Sequence, residues 1–331
     1  MTLLGHDPRE IITLVSLNLE KDGGRDTGGQ FPARWWAAIE FLKELRPDIL
    51  LRQEATYSAL HGARRHRATC ELLGMRGILA PNNRGRNPTA LYLRPATFPS
   101  FEITYDRPGQ RALWRTPPAM VITQLAGVPE VDILIGSWHA AFNSAVARML
   151  ETDELTTTVD KIKQGLAWLG GGDCNEAAHP WGELVGPINW ARPGITDWTH
   201  MVHRTVELPD GTRVNAGYLD RTLLSCGLHD VARYAAQAHG QLTALAPTGG
   251  HAPGAVGQGG PQRIDRVYAD PWLTQAVISV RRLRTDRFSD HHAVEVIFSR
   301  PLLEQALRRQ IAPLPRWNLG PPSTDAFRLA V

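Results

Sequence analysis

Six short polar clusters in this chain stand where apolar, strand-like runs begin or end, positions from which side chains can project into a cleft instead of the core. In chain order they are Asn18, which follows the run 11–17; Gln53-Glu54, which closes 48–52; and His139, after 133–138. Then come Gly171-Gly172-Asp173-Cys174-Asn175, after 166–169; Arg263-Ile264-Asp265-Arg266-Val267-Tyr268; and Ser289-Asp290-His291, ahead of 293–296. Glu54 offers the hard oxygen ligand that magnesium prefers. Asp173 and Asn175 are two apart, so in extended backbone their side chains share a face, and the glycines before them allow close backbone approach. His139 and His291 can donate hydrogen bonds to a phosphoryl group, and a nearby carboxylate such as Asp265 can hold a histidine protonated and oriented. Singly, each cluster also reads as a turn cap or a solvated strand end. Their combination carries the argument for phosphate chemistry.

The elements that must position these groups are short β-like runs separated by helical stretches, a mixed α/β pattern. The runs are 11–17, 48–52, 89–93, 120–125, 131–138, 263–268, 276–280 and 293–298. Between the first two, residues 34–45 place Trp35, Ile39 and Leu42 at helical spacing, with Pro32 before and Pro47 after. This helix is expected to cover a sheet face. A second helix is expected over 145–164, weakened at Thr156, Thr157 and Thr158 because β-branched side chains lose rotamer freedom there. Residues 189–218 and 248–260 read as long loops, and 302–310 as a short helix leading into a proline-rich tail. The expected organisation is one domain over 1–300 with a C-terminal helix and tail over 301–331.

Taken together, Asn18, Gln53-Glu54, His139, Gly172-Asp173-Cys174-Asn175, Arg263-Ile264-Asp265 and Ser289-Asp290-His291 resemble the ordered motifs of the endonuclease/exonuclease/phosphatase superfamily, which includes deoxyribonuclease I and the apurinic endonucleases. The resemblance spans residues 11–298. It implies a four-layer α/β sandwich: two mixed β-sheets packed face to face, helices outside, and active-site loops along one edge. It also implies one-step hydrolysis with Mg²⁺, or Mn²⁺ in its place, held by Glu54, with Asn18 and Asp290 completing the metal site or supporting it. By the same resemblance Asp173 orients and deprotonates the attacking water while Asn175 positions it or the phosphate. His139 and His291 stabilise charge on the phosphoryl oxygens, and Asp265 orients His291.

Some residues depart from the family pattern. Cys174 replaces the usual aromatic residue of its motif, a change of packing rather than of chemistry, since two flanking ligands of acid and amide type disfavour its thiolate. His292 and Ala293 follow His291 where a proline is frequent. The strand near 89–93 lacks the glutamate that partners the first histidine in deoxyribonuclease I, leaving Asn87 as the nearest polar group. Arg84 and Arg86, with Asn82, Asn83 and Asn87, form a polar loop suited to a phosphate backbone, and Trp181, Trp190, Trp198 or Tyr268 can stack on bases. His200 and His203 have the spacing of one helical turn, but no third metal ligand accompanies them.

Composition bounds the rest. The chain has 331 residues, 43% of them hydrophobic and 21% charged, as in a globular protein, and no apolar run is long enough to span a membrane. The N-terminus lacks the charged and apolar regions of a signal peptide, so a cytoplasmic enzyme is expected. Cys70, Cys174 and Cys226 are scattered and unpaired in sequence, which excludes a disulfide framework or thiolate zinc site. Net charge is only +3 with a pI near 8.9, and the cluster Arg281, Arg282, Arg284, Arg287 reads first as a solvated face. A nuclease or nucleic-acid phosphodiesterase is the leading expectation, and the glycine-rich Asp173 and Arg263 motifs also look like those of tyrosyl-DNA phosphodiesterases. A phosphatase or phosphodiesterase of a small soluble or lipid-derived phosphate is the alternative, and a catalytically silent binding protein ranks last. No protein partner is indicated.

Overall fold

Strand β1 (Ile11–Asn18) is buried along nearly its whole length, and its alternation explains the architecture. Ile12 and Leu14 pack into one apolar cluster with Ile135, Leu169 and Val296, whereas Val15 and Leu17 pack into a second with Trp35, Ile39 and Leu42. A strand covered on both faces needs apolar residues on both, which is why it reads as a largely hydrophobic run broken only by Thr13 and Ser16. The computed structural model describes residues 10–81, 85, 87–105, 109, 112–180, 182–252 and 254–309.

The strands after β1 are β2 (Ile49–Gln53), β3 (Arg76–Leu79), β4 (Ala90–Leu93), β5 (Glu102–Thr104), β6 (Ala119–Leu125), β7 (Val128–His139) and β8 (Ala167–Asp173). They continue as β9 (Thr205–Glu207), β10 (Arg213–Asn215), β11 (His229–Asp230), β12 (Asp265–Ala269), β13 (Val277–Leu283) and β14 (Ala293–Ser299). The helices are α1 (Ala33–Leu45), α2 (Leu60–Leu73), α3 (Ala145–Val159), α4 (Trp198–Arg204), α5 (Tyr218–Ser225), α6 (Val231–His239), α7 (Pro271–Thr274) and α8 (Arg300–Leu307).

Two six-stranded sheets result, ordered β13-β14-β1-β2-β4-β3 and β11-β12-β8-β7-β6-β5. Each is mixed, with one parallel pair at its centre: β1 with β2, and β7 with β8. The inner faces meet in a cluster that includes Leu14, Leu51, Leu91, Val121, Ile135 and Val267. Outside the first sheet, α1 buries Trp35, Ala38, Ile39 and Leu42. Outside the second, Leu155 and Val159 of α3 and Leu219 and Leu223 of α5 pack on Trp138, Trp168 and Tyr268. This is the expected four-layer α/β sandwich.

The parallel pairs fix where the polar clusters fall. Asn18 lies opposite Gln53 in one sheet, and His139 lies opposite Asp173 in the other, with Asp265 on Asp173's far side. The two sheets are stitched together at this edge by Asn18 Nδ2 donating to Asp173 Oδ2 at 3.0 Å and Gln53 Nε2 donating to Ser137 Oγ at 3.1 Å.

Several boundaries differ from expectation. The second helix ends as an α-helix at Val159 and tightens to a 3-10 turn over Asp160–Gln164, and Ser144 caps its start by accepting from Ala147 N at 3.1 Å. The C-terminal helix begins at Arg300, with Pro301 tolerated in the first turn where its missing N–H costs nothing; residues 310–331 lie outside the described residues. The expected loop 189–218 instead holds α4 and the hairpin β9–β10. α4 buries no residue, so no apolar stripe announced it. The segment 248–260 includes a 3-10 turn, Ala255–Gln258, and docks on the first segment: Thr196 N and Asp197 N both donate to Gly257 O at 3.1 Å.

Candidate active site

Asp173 is the hub. Its Oδ1 accepts from Asn175 N at 2.8 Å and its Oδ2 from Asn18 Nδ2 at 3.0 Å. The same Oδ2 lies 3.5 Å from His139 Nε2 and 3.8 Å from His291 Nε2. Those two separations exceed a direct hydrogen bond. Ring nitrogens of two histidines thus converge on one carboxylate oxygen. Burial opposes the charge on Asp173, but His291, His139 and Arg204 outweigh it and hold the carboxyl below its usual range.

Backbone geometry makes this convergence feasible. Gly172 adopts φ +150°, and a Cβ there would lie 1.9 Å from Trp138 O and 2.9 Å from Gln53 Nε2. Only glycine lets β7 and β8 approach so closely just before Asp173. Asn175 itself sits at φ 51° and is clamped at both ends of its amide, donating to Ala140 O at 2.9 Å and accepting from Arg204 Nη2 at 2.8 Å.

His291 Nδ1 donates to Asp265 Oδ2 at 2.8 Å, since a carboxylate only accepts. Burial alone lowers the affinity of His291 for its proton, but Asp265 and Asp173 overcome this and push it up to about 10. Thr248 braces the pair: its hydroxyl accepts from Asp265 N at 2.9 Å and its carbonyl from His292 N at 2.7 Å. Asp173, Asp265 and His291 are also the one group of histidine, cysteine and acid side chains among the described residues whose ligand atoms lie within 4.8 Å of one another. Within it, Asp265 and His291 are joined by the 2.8 Å hydrogen bond.

His139 has no such support. Its Nδ1 is buried without a partner among the described residues, and Asn87 instead accepts from Thr56 Oγ1 at 2.9 Å. The sequence departure at this strand is therefore matched by an unsatisfied ring nitrogen.

A second grouping is built from oxygen. Glu54, at φ 55°, accepts from Lys21 N at 2.8 Å. That turn is held by the buried Asp22, which accepts from Arg52 Nη2 at 2.7 Å and Ser58 Oγ at 2.8 Å. Ser289 Oγ donates to Asn18 O at 2.6 Å and accepts from Glu20 N at 3.2 Å, fixing the Asp290 loop to the end of β1. Burial pushes the Asp290 carboxyl up; His291 opposes this, while Glu20 and Glu54 add to it. Asn18 Oδ1 and Asp290 Oδ1 are buried without hydrogen-bond partners among the described residues. Crowded carboxylates and orphaned buried oxygens fit a hard cation, so the donor set Glu54, Asp290 and Asn18 is compatible with Mg²⁺.

Beside Asp290 and His291 opens a cavity of about 190 Å³, walled by α4, the hairpin and the 249–262 segment. Arg204, which no sequence cluster contains, lines it. Glu20 and Thr248 were likewise not singled out; the one sequence signal for Glu20 is its place two residues beyond Asn18, and Thr248 opens a glycine-rich run. Arg84 and Arg86 lie outside the described residues, but Gly85 between them donates its N–H to Arg115 O at 2.8 Å. Of the proposed stacking residues, Trp198 is 60% exposed, whereas Tyr268 is fully buried with its hydroxyl donating to Asp220 at 2.7 Å. Tyr268 is therefore part of the packed layer under the second sheet, because its position on β12 points outward to α5. His200 and His203 do share a turn of α4, with no third ligand beside them among the described residues. Cys174 is buried beneath the site, and burial pushes its thiol up to about 12.

No family model matches this chain, and no curated protein matches it in sequence. Solved structures do match. An AP endonuclease from Leishmania major superposes with a TM-score of 0.58 at 15% identity, covering 89% of this chain and 90% of that one. A 3'-5' exonuclease from Neisseria meningitidis gives 0.57 at 14%, covering 87% and 100%. TDP2 of D. rerio, complexed with a single-strand DNA product, gives 0.52 at 14%, covering 87% and 98%. At these identities the likeness is one of fold, and the chain carries the deoxyribonuclease I-like fold.

Proposed function

We propose that this protein is a metal-dependent phosphodiesterase that hydrolyses nucleic acid. The observation that carries the reading is the convergence of His139 Nε2 and His291 Nε2 on Asp173 Oδ2, at 3.5 and 3.8 Å, beside an oxygen-rich grouping suited to a divalent cation. Glu54, Asp290 and Asn18 would hold Mg²⁺. When bound, the ion neutralises charge on the phosphate and on the leaving oxygen.

The side chains supply the remaining steps. Asp173, anionic and fixed by Asn18 and Asn175, orients a water and takes its proton as the water oxygen bonds to phosphorus. The bond from phosphorus to the leaving oxygen breaks, and that oxygen takes up a proton from solvent. His291, held charged by Asp265, donates through Nε2 to a non-bridging phosphoryl oxygen as charge builds there, with His139 donating from the other side. Asn175, clamped by Ala140 and Arg204, keeps the turn that presents Asp173.

Two features favour a nucleic acid over a small ester. Phe142, three residues beyond His139 and 45% exposed, carries the Arg115 guanidinium 4.9 Å from its ring centroid. An exposed ring backed by a cation is a platform on which a base stacks beside a neutralised phosphate. The sequence places Arg84 and Arg86 on either side of Gly85, which is tied to Arg115. The bounded cavity near His291 favours the small-phosphoester alternative instead. A panel of single- and double-stranded DNA, RNA, a generic phosphodiester and phosphomonoesters separates them, each with Mg²⁺, Mn²⁺ or chelator. The nucleic-acid reading predicts steep loss of kcat/KM with rising salt. Turnover of monoesters alone, with a shallow salt response, would overturn it.

A further inference from the structure

Arg204, the last residue of α4, lies within electrostatic reach of Asp173 and Glu176 but touches no carboxylate among the described residues. Nη2 donates to Asn175 Oδ1 at 2.8 Å, Nε lies 3.4 Å from His200 Nε2, and Nη1 is enclosed with no acceptor among the described residues. The buried Arg233 and Arg263 are differently served. Arg233 meets Asp220 and Arg263 meets Asp230, each at 2.7 Å, while no carboxylate oxygen among the described residues lies within salt-bridge distance of Arg204. Arg266 is also short of acceptors, but it sits in the packed layer near Cys174 and Tyr268, where nothing can enter.

Desolvating a cation without pairing it is costly, and a protein that keeps one at the wall of a cavity gains when an anion arrives. The cavity is the one shared with Asp290 and His291, and it is lined by His200 and Gln262 as well. Gln262 is only 9% exposed, and no hydrogen bond of its side-chain amide occurs among the described residues. A guanidinium donates well to the oxygens of a phosphate, and the phosphoester reading of the neighbouring site selects phosphate over a carboxylate. Asn175 links Arg204 to Asp173 through two contacts of 2.8 Å, so an oxygen held at Arg204 lies beside the hub of the site.

We propose that Arg204 binds a phosphoryl oxygen of the substrate, making the cavity between α4 and the 249–262 segment a phosphate subsite. The inference rests on the phosphoester reading above and deepens it.

The test compares the wild type with Arg204→Ala and Arg204→Lys, using inorganic phosphate as the probe. Titration calorimetry in chelator reads phosphate binding without turnover, and steady-state kinetics with Mg²⁺ reads catalysis. Arg204→Ala is expected to weaken phosphate binding at least about tenfold, to raise KM in the same direction, and to lower kcat by about 10²–10³. Methylguanidinium at tens of millimolar should restore part of that rate, a response that a role in folding alone would not give, and Arg204→Lys should fall between. Unchanged phosphate binding in Arg204→Ala, or a wild-type rate in that variant while Asp173→Asn is inactive, would overturn the proposal. So would a loss of rate without loss of phosphate binding or guanidinium rescue. If the wild type binds phosphate through Arg204 yet hydrolyses no phosphoester, the subsite stands and the hydrolase reading fails.

Discussion

Replacing Asp265 by asparagine isolates the electrostatic half of the His291 pair. The amide oxygen can still accept from His291 Nδ1 across the 2.8 Å contact, so orientation is kept and the negative charge is lost. Opposite charges about 4 Å apart at an effective dielectric near 20 attract by about 4 kcal/mol. At about 1.4 kcal/mol per unit, that is about three units of proton affinity. From a starting point of about 10, His291 should then titrate near neutrality. NMR of the ring protons in chelator, on wild type and Asp265→Asn, measures this directly. With the proton half lost near pH 7, kcat/KM in Mg²⁺ should gain a falling limb absent from the wild type, at least about tenfold down at pH 8. Stability carries the same signature. A histidine whose affinity is raised by folding stabilises the protein fully below its unfolded value near 6.5, and that contribution is lost as pH rises toward 10. Asp265→Asn should flatten the slope. A His291 that still titrates above 9 in the variant, or an unchanged rate at pH 8, would refute the reasoning.

Three further expectations follow from packing and charge. Gly172→Ala should cost at least about 3 kcal/mol in urea denaturation, because its Cβ meets Trp138 O at 1.9 Å; a wild-type midpoint would contradict the close approach of β7 and β8. Cys174→Ala should keep kcat within about twofold and lose about 1 kcal/mol of stability, since a buried thiol pushed up to about 12 is neither nucleophile nor ligand; loss of activity without loss of stability would contradict this. Asp220 accepts from Arg233 and from the Tyr268 hydroxyl, and although burial opposes its charge, Arg233 and Arg266 hold its carboxyl well below the usual range. Asp220→Asn should therefore cost about 3–5 kcal/mol at neutral pH. The stabilisation is present above the unfolded value near 4 and lost as pH falls, so the variant and wild type should converge in acid; parallel curves down to pH 2 would contradict it.

Much of the fold was legible because the central strands are buried on both faces. Runs such as Ile12, Leu14, Val15 and Leu17 serve two cores at once, and only the small Thr13 and Ser16 interrupt the apolar pattern. The site was legible for a related reason: strand ends are where a polar residue directly follows an apolar run, as at Asn18 and His139. Arg204 was not, because α4 buries no residue and lies in a segment of short elements held by contacts such as Trp190 Nε1 to Asn215 Oδ1 at 2.9 Å. Tyr268 was misjudged because an aromatic beside a motif looks the same whether it faces the cleft or the helices, and only the register of β12 against β8 decides.

The central claim is that water attacks phosphorus with Asp173 as its base and a metal at Glu54. Hydrolysis of a DNA phosphodiester in ¹⁸O-labelled water, by wild type, Asp173→Asn and Glu54→Gln with Mg²⁺ or chelator, tests it most directly. The account predicts one ¹⁸O in the phosphate product of the wild type with Mg²⁺, and rates lower by about 10³ or more in chelator and in both variants. Label in the alcohol product, or full turnover in chelator or in Asp173→Asn, would contradict it.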